Sequence, residues 1–389
     1  MENNIALVSF IKSYNYGACL QGYALWYAIT HILNFDGDCK YVNYKRDYKK
    51  DLWIWFLRKI YRKVFNKDDS PSYSVKELLK EMIFIKKTHV NYPEETNRKF
   101  EEFWNMMPYT DSKSRKKLKE LNSDFDIFIV GSDQVWNPGK VNLDSTFLLD
   151  FADDSKIKCS YASSLGITWI PDKYKSKYRK YLNRFKSISL REQSSVEIIK
   201  NIISEDKCID YHCDPTFLLD FETWKQIATS SNKSNYTDYI LIYDLTGEDK
   251  ICKSIADVIA KKKDLKVVIV SQKNGDGPLD WVQLFANASY IVTNSFHGTA
   301  FSINFSKEFI SLVPSKEIFV QSKDRILDLL KEVGLEDRLL DEEHLADKSL
   351  DEVDSILENI GDIDYSVVQE QISKLRHQGL EYLNDCMKE

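Results

Sequence analysis

Residues 290–299 read Tyr-Ile-Val-Thr-Asn-Ser-Phe-His-Gly-Thr. Four strand-forming residues run straight into a turn of small polar ones. A run this short, apolar without alternation, is the signature of a strand buried on both faces of a parallel sheet. The flanks extend the pattern. Upstream, 239–245 (YILIYDL) and 266–271 (KVVIVS) read as strands, with helical periodicity over 248–262 and 278–288 between and after them. Downstream, the spacing predicts a short helix from Thr299, a strand over 309–313 (FISLV) and a helix over 322–333. Strand and helix alternating in this way define an α/β unit with crossover helices.

The first half repeats the rhythm less regularly. Residues 4–10 (NIALVSF) read as a strand, followed by a loop and a helical stretch from Gly17 to about Leu33. Residues 125–130 (FDIFIV), 159–164 (CSYASS) and 187–191 (SISLR) are further strand-length runs, each ending in a loop rich in Gly, Ser, Asp or Asn. A chain of 389 residues is long for one core. The polar stretch Ser230–Asn235 is the best linker, so an N-terminal unit over 1–232 and a C-terminal unit over 236–365 are expected. Helical patterns recur near 351–359 and 366–386, and the last of these, within 366–389, is expected to pack back on the first unit. The fold expected is two parallel-sheet domains facing a central cleft.

Composition narrows the function. The net charge of −6 argues against a globally basic nucleic-acid binder. No signal-peptide pattern opens MENNIALVSF and no apolar run approaches the roughly 20 residues needed to span a bilayer, so a cytoplasmic protein is expected. Seven scattered cysteines read as reduced thiols. Cys208, His212 and Cys213 fall short of a four-ligand cluster, and no metal site is expected. Residues 40–67 stand apart, with ten basic residues against two acidic ones, while the rest of the chain carries 44 and 58. At about 100° per residue, Arg58, Lys59, Arg62 and Lys63 share one arc and Trp53, Phe56, Leu57, Ile60 and Val64 the other. Such a segment, 45–67, suits peripheral contact with an anionic membrane; equally, its apolar face can pack on the domain with the charges solvated.

Four loops at strand ends carry the candidate chemistry, because parallel α/β sheets bind ligands there. The first holds Asn15, Tyr16 and Gly17. It lacks the full G-x-G-x-x-G of a dinucleotide loop, but its helix N-terminus can accept an anion, or Gly17 can simply permit a tight turn. The second, Gly131–Pro138, offers Ser132, Asp133 and Gln134 for sugar hydroxyls, with Trp136 better read as a buried anchor. The third ends in Arg191, placed to grip a carboxylate or phosphate, or else to pair with Glu192 or another carboxylate. In the fourth, Ser295, His297 and Gly298 lie together at a strand-to-helix turn, where a histidine among small polar residues suits general acid/base work.

Five motifs, in order, make the reading specific: N-Y-G-A-x-L-Q-x-Y-A-L from Asn15, G-S-D-Q-V-W-N-P from Gly131, S-L-R-E from Ser189, D-P-T-F-L-L from Asp214 and N-S-F-H-G-T-A-F-S from Asn294. Together they resemble the polysaccharide pyruvyltransferase family over about residues 5–335. The resemblance implies a GT-B-like fold of two Rossmann-like domains, phosphoenolpyruvate as donor and no cofactor. It also implies a saccharide hydroxyl pair as acceptor, lipid-linked in many relatives, in capsule, exopolysaccharide or cell-wall glycan synthesis. It makes His297 the functional histidine and Arg191 the substrate-binding arginine, with Lys316 or Arg325 as the basic residue that follows. Residues 45–120 match nothing in the pattern and read as an insertion. Two other functions fit the same fold: a GT-B glycosyltransferase using a nucleotide sugar, and a non-catalytic glycan-binding relative.

Overall fold

The structure is a computed structural model, and it describes residues 3–46, 91–141, 143–203, 207–233, 235–245, 250–313 and 317–388. Most of the basic 45–67 segment, together with Lys316, lies outside the described residues.

Thirteen strands are described: β1 (Ile5–Val8), β2 (Cys39–Tyr41), β3 (Tyr44–Lys45), β4 (Lys113–Ser114), β5 (Ile127–Val130), β6 (Ile157–Ser160), β7 (Ser187–Leu190), β8 (Cys208–Tyr211), β9 (Tyr239–Tyr243), β10 (Lys266–Ile269), β11 (Tyr290–Thr293), β12 (Glu308–Val313) and β13 (Leu339–Asp341). Six form one sheet in the order β2-β1-β5-β6-β7-β8 and five form a second in the order β10-β9-β11-β12-β13, with β3 and β4 paired separately. Every pairing is parallel. Burial explains why the central strands are continuous apolar runs: β1, β5, β9 and β11 are buried at every residue, so neither face needs polar side chains.

The strand order reverses direction at β1 in the first sheet, where β2 lies to one side and β5 to the other. It reverses again in the second sheet, between β9 and β11. Crossover segments leave in opposite directions at such points and open a crevice at the carboxyl ends of the strands. The loops after β1, β5 and β11 are therefore the ones that the fold leaves available to a ligand.

The two sheets share one core. A single apolar cluster runs from Ile5, Leu7 and Ile129 of the first to Leu241, Trp281 and Ile291 of the second. Tyr16 is the wedge between them, its ring stacked on Trp281 at 6.1 Å and its hydroxyl donating to the Asp276 carbonyl at 3.0 Å. Truncating a fully buried Trp such as Trp281 costs about 3–5 kcal/mol, so this seam is a principal source of stability.

Part of the 45–120 segment belongs to the seam as well. The helix Glu94–Trp104 buries Phe100 and Phe103, Phe100 stands 5.5 Å from Tyr16, and Lys99 pairs with Asp280 at 2.8 Å. The last helix, Tyr365–Met387, returns to the first sheet. There Tyr382 donates to the Ser160 carbonyl at 2.9 Å and Arg376 to the Phe217 carbonyl at 2.7 Å.

Candidate active site

The helix that carries the histidine begins earlier than its composition suggests. The cluster Asn-Ser-Phe-His-Gly reads as a turn, yet the helix runs Phe296–Asn304 and its N-cap is Ser295, whose hydroxyl accepts from the Gly298 N–H at 3.3 Å. Gly298 leaves room for the helix to pass close to β11: a Cβ there would stand 2.2 Å from the Thr293 hydroxyl. His297 is thereby fixed on the first helical turn rather than on a loop, and only 8% of it is exposed.

A second helix N-terminus meets it. The helix Tyr16–Tyr27 is capped by Asn15, whose Oδ1 accepts from the Ala18 N–H at 3.0 Å. Gly17, in its first turn, faces the imidazole so closely that a Cβ would sit 2.1 Å from His297 Nδ1 and 2.3 Å from Cγ. Two helix N-termini with their partial positive charge thus abut at one point, which favours an anion there.

Arg191 closes the site from the end of β7. Its side chain is 1% exposed, with Nη1 donating to Asp214 Oδ2 at 2.9 Å, Nε reaching Glu192 Oε1 at 3.4 Å and Nη2 standing 3.8 Å from Asp133 Oδ1. Nη2 is buried and has no hydrogen-bond partner among the described residues. Burial opposes the charge of this guanidinium, but Asp214, Glu192 and Asp133 outweigh it and hold the group above its ordinary value. The carboxylates are themselves anchored. Asp214 Oδ1 accepts from the Thr216 N–H and hydroxyl, and Glu192 accepts from Ser164 at 2.5 Å and Ser195 at 3.1 Å.

Asp214 Oδ2 also lies 3.8 Å from His297 Nε2, an atom that is buried and without a hydrogen-bond partner among the described residues. Burial pushes the imidazole below its ordinary value, with Asp214 pulling the other way and Arg191 adding to the depression. At neutral pH the His297 imidazole is therefore uncharged. Phe296, next in sequence, supplies an apolar floor: the Arg191 guanidinium sits 4.4 Å from its ring centroid and that of Arg325 5.9 Å. Burial and the nearby Arg191 lower Arg325 to about 10.

Of the residues singled out in the sequence, Gly17, Asp133, Arg191, His297 and Arg325 converge. Others face away from the cleft. Ser132 is fully buried, its hydroxyl donating to the Ala162 carbonyl at 2.6 Å and its N–H to Gln21 at 3.1 Å. Gln134 accepts from the Asn137 amide at 3.0 Å and is closed over by Gly166. Trp136 is a buried anchor, donating to the Phe147 carbonyl at 2.7 Å. Asn15 and Ser295 serve as caps, and Tyr16 as the wedge. Asp214 is the residue that sequence reasoning left without a role, although its Asp-Pro-Thr setting signals an acceptor fixed at the start of a turn. Among the described residues no group of three or more His, Cys, Asp or Glu side chains is arranged to hold a metal ion.

Two parallel sheets with Arg191, Arg325 and their partner carboxylates gathered at the strands' carboxyl ends define an α/β fold of the GT-B-like class. Within it, the chain belongs to the family described as polysaccharide pyruvyl transferase, which its residues 15–316 match. One solved structure supports the architecture, and two others are reported beside it. The UDP-GlcNAc 2-epimerase from Methanocaldococcus jannaschii is 12% identical with a TM-score of 0.50, over 94% of this chain and 94% of that one. The UDP-GlcNAc 2-epimerase from Neisseria meningitidis bound to UDP-GlcNAc is 11% identical with a TM-score of 0.42, over 97% and 99%. The wall teichoic acid polymerase TagF is 12% identical with a TM-score of 0.41, over 98% and 90%. At such identities the likeness concerns the fold alone. No curated protein matches the chain in sequence.

Proposed function

We propose that this protein transfers the pyruvyl group of phosphoenolpyruvate to two hydroxyls of a saccharide, forming a cyclic ketal and releasing phosphate. The observation that carries the reading is the buried pair of nitrogens without hydrogen-bond partners among the described residues, Arg191 Nη2 and His297 Nε2, set among Arg325 and two helix N-termini. The open edge of Arg191, the Arg325 guanidinium and the two helix N-termini are groups that suit a small ligand with a carboxylate and a phosphate. Arg191 grips one anionic group of the donor through its free edge while Asp214 and Glu192 hold its other nitrogens.

The chemistry balances with the residues at hand. A proton adds to the donor's methylene carbon, which becomes the methyl, and the adjacent carbon becomes an oxocarbenium. One sugar hydroxyl attacks that carbon. The carbon–oxygen bond to phosphate breaks, the second hydroxyl attacks, and the ring closes. The proton of the first hydroxyl is the one that His297 carries to the methylene, and the proton of the second leaves with phosphate. Neutral His297 takes the first hydroxyl proton and returns it as general acid, with Asp214 steadying the imidazolium between the two events. Arg191 and Arg325 offset the charge that gathers on the departing phosphate.

The test is incubation of the protein with phosphoenolpyruvate and a panel of glycosides, following phosphate release and a one-pyruvyl gain in glycoside mass. Phosphate release that requires a nucleotide sugar and leaves phosphoenolpyruvate intact would overturn the reading. Exchange of His297 for Ala is expected to lower the rate about 10²–10⁴-fold.

A further inference from the structure

The cleft continues beyond the arginines into a cavity of about 650 Å³ that the donor chemistry does not use. Glu192 and Arg325 line it, so it adjoins the cluster around Arg191. Its outer wall is the segment after β6, with Gly166, Ile167, Trp169 and Tyr174. Trp169 is 66% exposed, the most exposed large apolar side chain among the described residues. An indole left in water beside a cavity, when Trp136, Trp224 and Trp281 are wholly buried, lacks a structural reason.

We propose that this cavity is the acceptor subsite and that Trp169 is the platform on which one pyranose ring of the glycan lies. The inference rests on the pyruvyl-transfer reading above and adds where the acceptor sits. A pyranose has an apolar C–H face that an aromatic ring can cover and a rim of hydroxyls that needs polar partners. The cavity supplies both kinds of surface: the rings of Trp169 and Tyr174, and the exposed polar side chains of Ser194 and Asp324. Its volume falls within the roughly 300–1,000 Å³ of sites that enclose a ligand larger than a three-carbon donor. Asp324 and Arg325 come from the second sheet's unit and Trp169 from the first, so an acceptor held here bridges the two. A ring lying on Trp169 would share one cavity with Arg325, on the side where the donor is expected.

The experiment uses the full chain with saturating phosphoenolpyruvate and p-nitrophenyl hexosides of the gluco, galacto and manno series. For whichever glycoside is pyruvylated, Trp169→Ala is expected to raise its KM about 3- to 10-fold, the range of one aromatic stacking interaction. Trp169→Tyr restores most of that, and the KM for phosphoenolpyruvate stays within about twofold, since a substitution at an exposed position rarely disturbs the fold. A glycoside KM unmoved in Trp169→Ala overturns the subsite while leaving pyruvyl transfer intact. Saturation-transfer NMR with the same glycosides separates the other failure. A glycoside Kd from saturation-transfer titration that is about 3- to 10-fold higher with Trp169→Ala than with the native chain, where the native chain forms no pyruvylated product, would uphold the subsite and overturn the donor chemistry. Equal glycoside Kd values with the native chain and the variant would overturn the subsite too.

Discussion

Replacing Gly17 with Ala tests the geometry at its tightest point. The added methyl would begin 2.1 Å from His297 Nδ1, whereas ordinary contact starts at 3.4 Å. The imidazole must therefore move by roughly 1.3 Å, the difference of those two values. A misplacement of about 1 Å can cost on the order of 10²-fold in rate, so kcat should fall by about that factor. Stability should change far less. Ala is better than Gly in a helix by about 1 kcal/mol, and that gain opposes the strain of displacing one ring. Phosphate release under saturating donor, measured beside the melting temperature, separates the two effects. A Gly17→Ala protein that keeps more than about a third of the native rate would refute the claim that this contact sets the histidine, because loss of a working acid/base group costs at least about 10²-fold.

Arg191→Lys keeps one charge but loses the planar fork that serves Asp214, Glu192 and the ligand together. The KM for phosphoenolpyruvate should rise about tenfold or more, since a hydrogen bond to a charged group contributes about 1.5–3 kcal/mol; an unchanged donor dependence would show that the arginine is purely structural. The pH profile should report His297. Its folded value lies below the ordinary histidine value of about 6.5, so the neutral base persists as pH falls through that point, and the acid limb of kcat/KM should appear only lower. An acid limb centred above 6.5 would contradict the burial argument.

Much of the fold was legible because its central strands are buried on both faces. FIV before Gly131 and YIVT before Asn294 have no polar alternation to mislead, and β5 and β11 end where those runs end. The edge strands were harder. Cys208–Tyr211 and Leu339–Asp341 are short and mixed in polarity, since an edge needs only one buried face. The start of the helix at Phe296 was hidden by composition: small polar residues and Gly298 mark a turn in sequence, while in the structure Ser295 caps the helix and Gly298 leaves it room beside Thr293. Asp214 escaped for a different reason. It stands 23 residues from Arg191 and 83 from His297, and only the packing of three separate strand ends brings one carboxylate oxygen near both. Trp169 follows the same rule, because exposure beside a cavity is a property of the assembled surface.

The shared core and the returning C-terminal helix bear on how the molecule comes apart. A chain with two sheets and one linker would ordinarily melt in two steps, each unit losing its own interior. Here Tyr16 and Trp281 belong to one cluster, and Tyr365–Met387, which follows the second unit, is fastened to the Ser160 and Phe217 carbonyls of the first. Unfolding either unit exposes apolar surface of the other, so heat should release both in a single cooperative transition. The same contacts tie the two units to each other at the seam and again through the last helix.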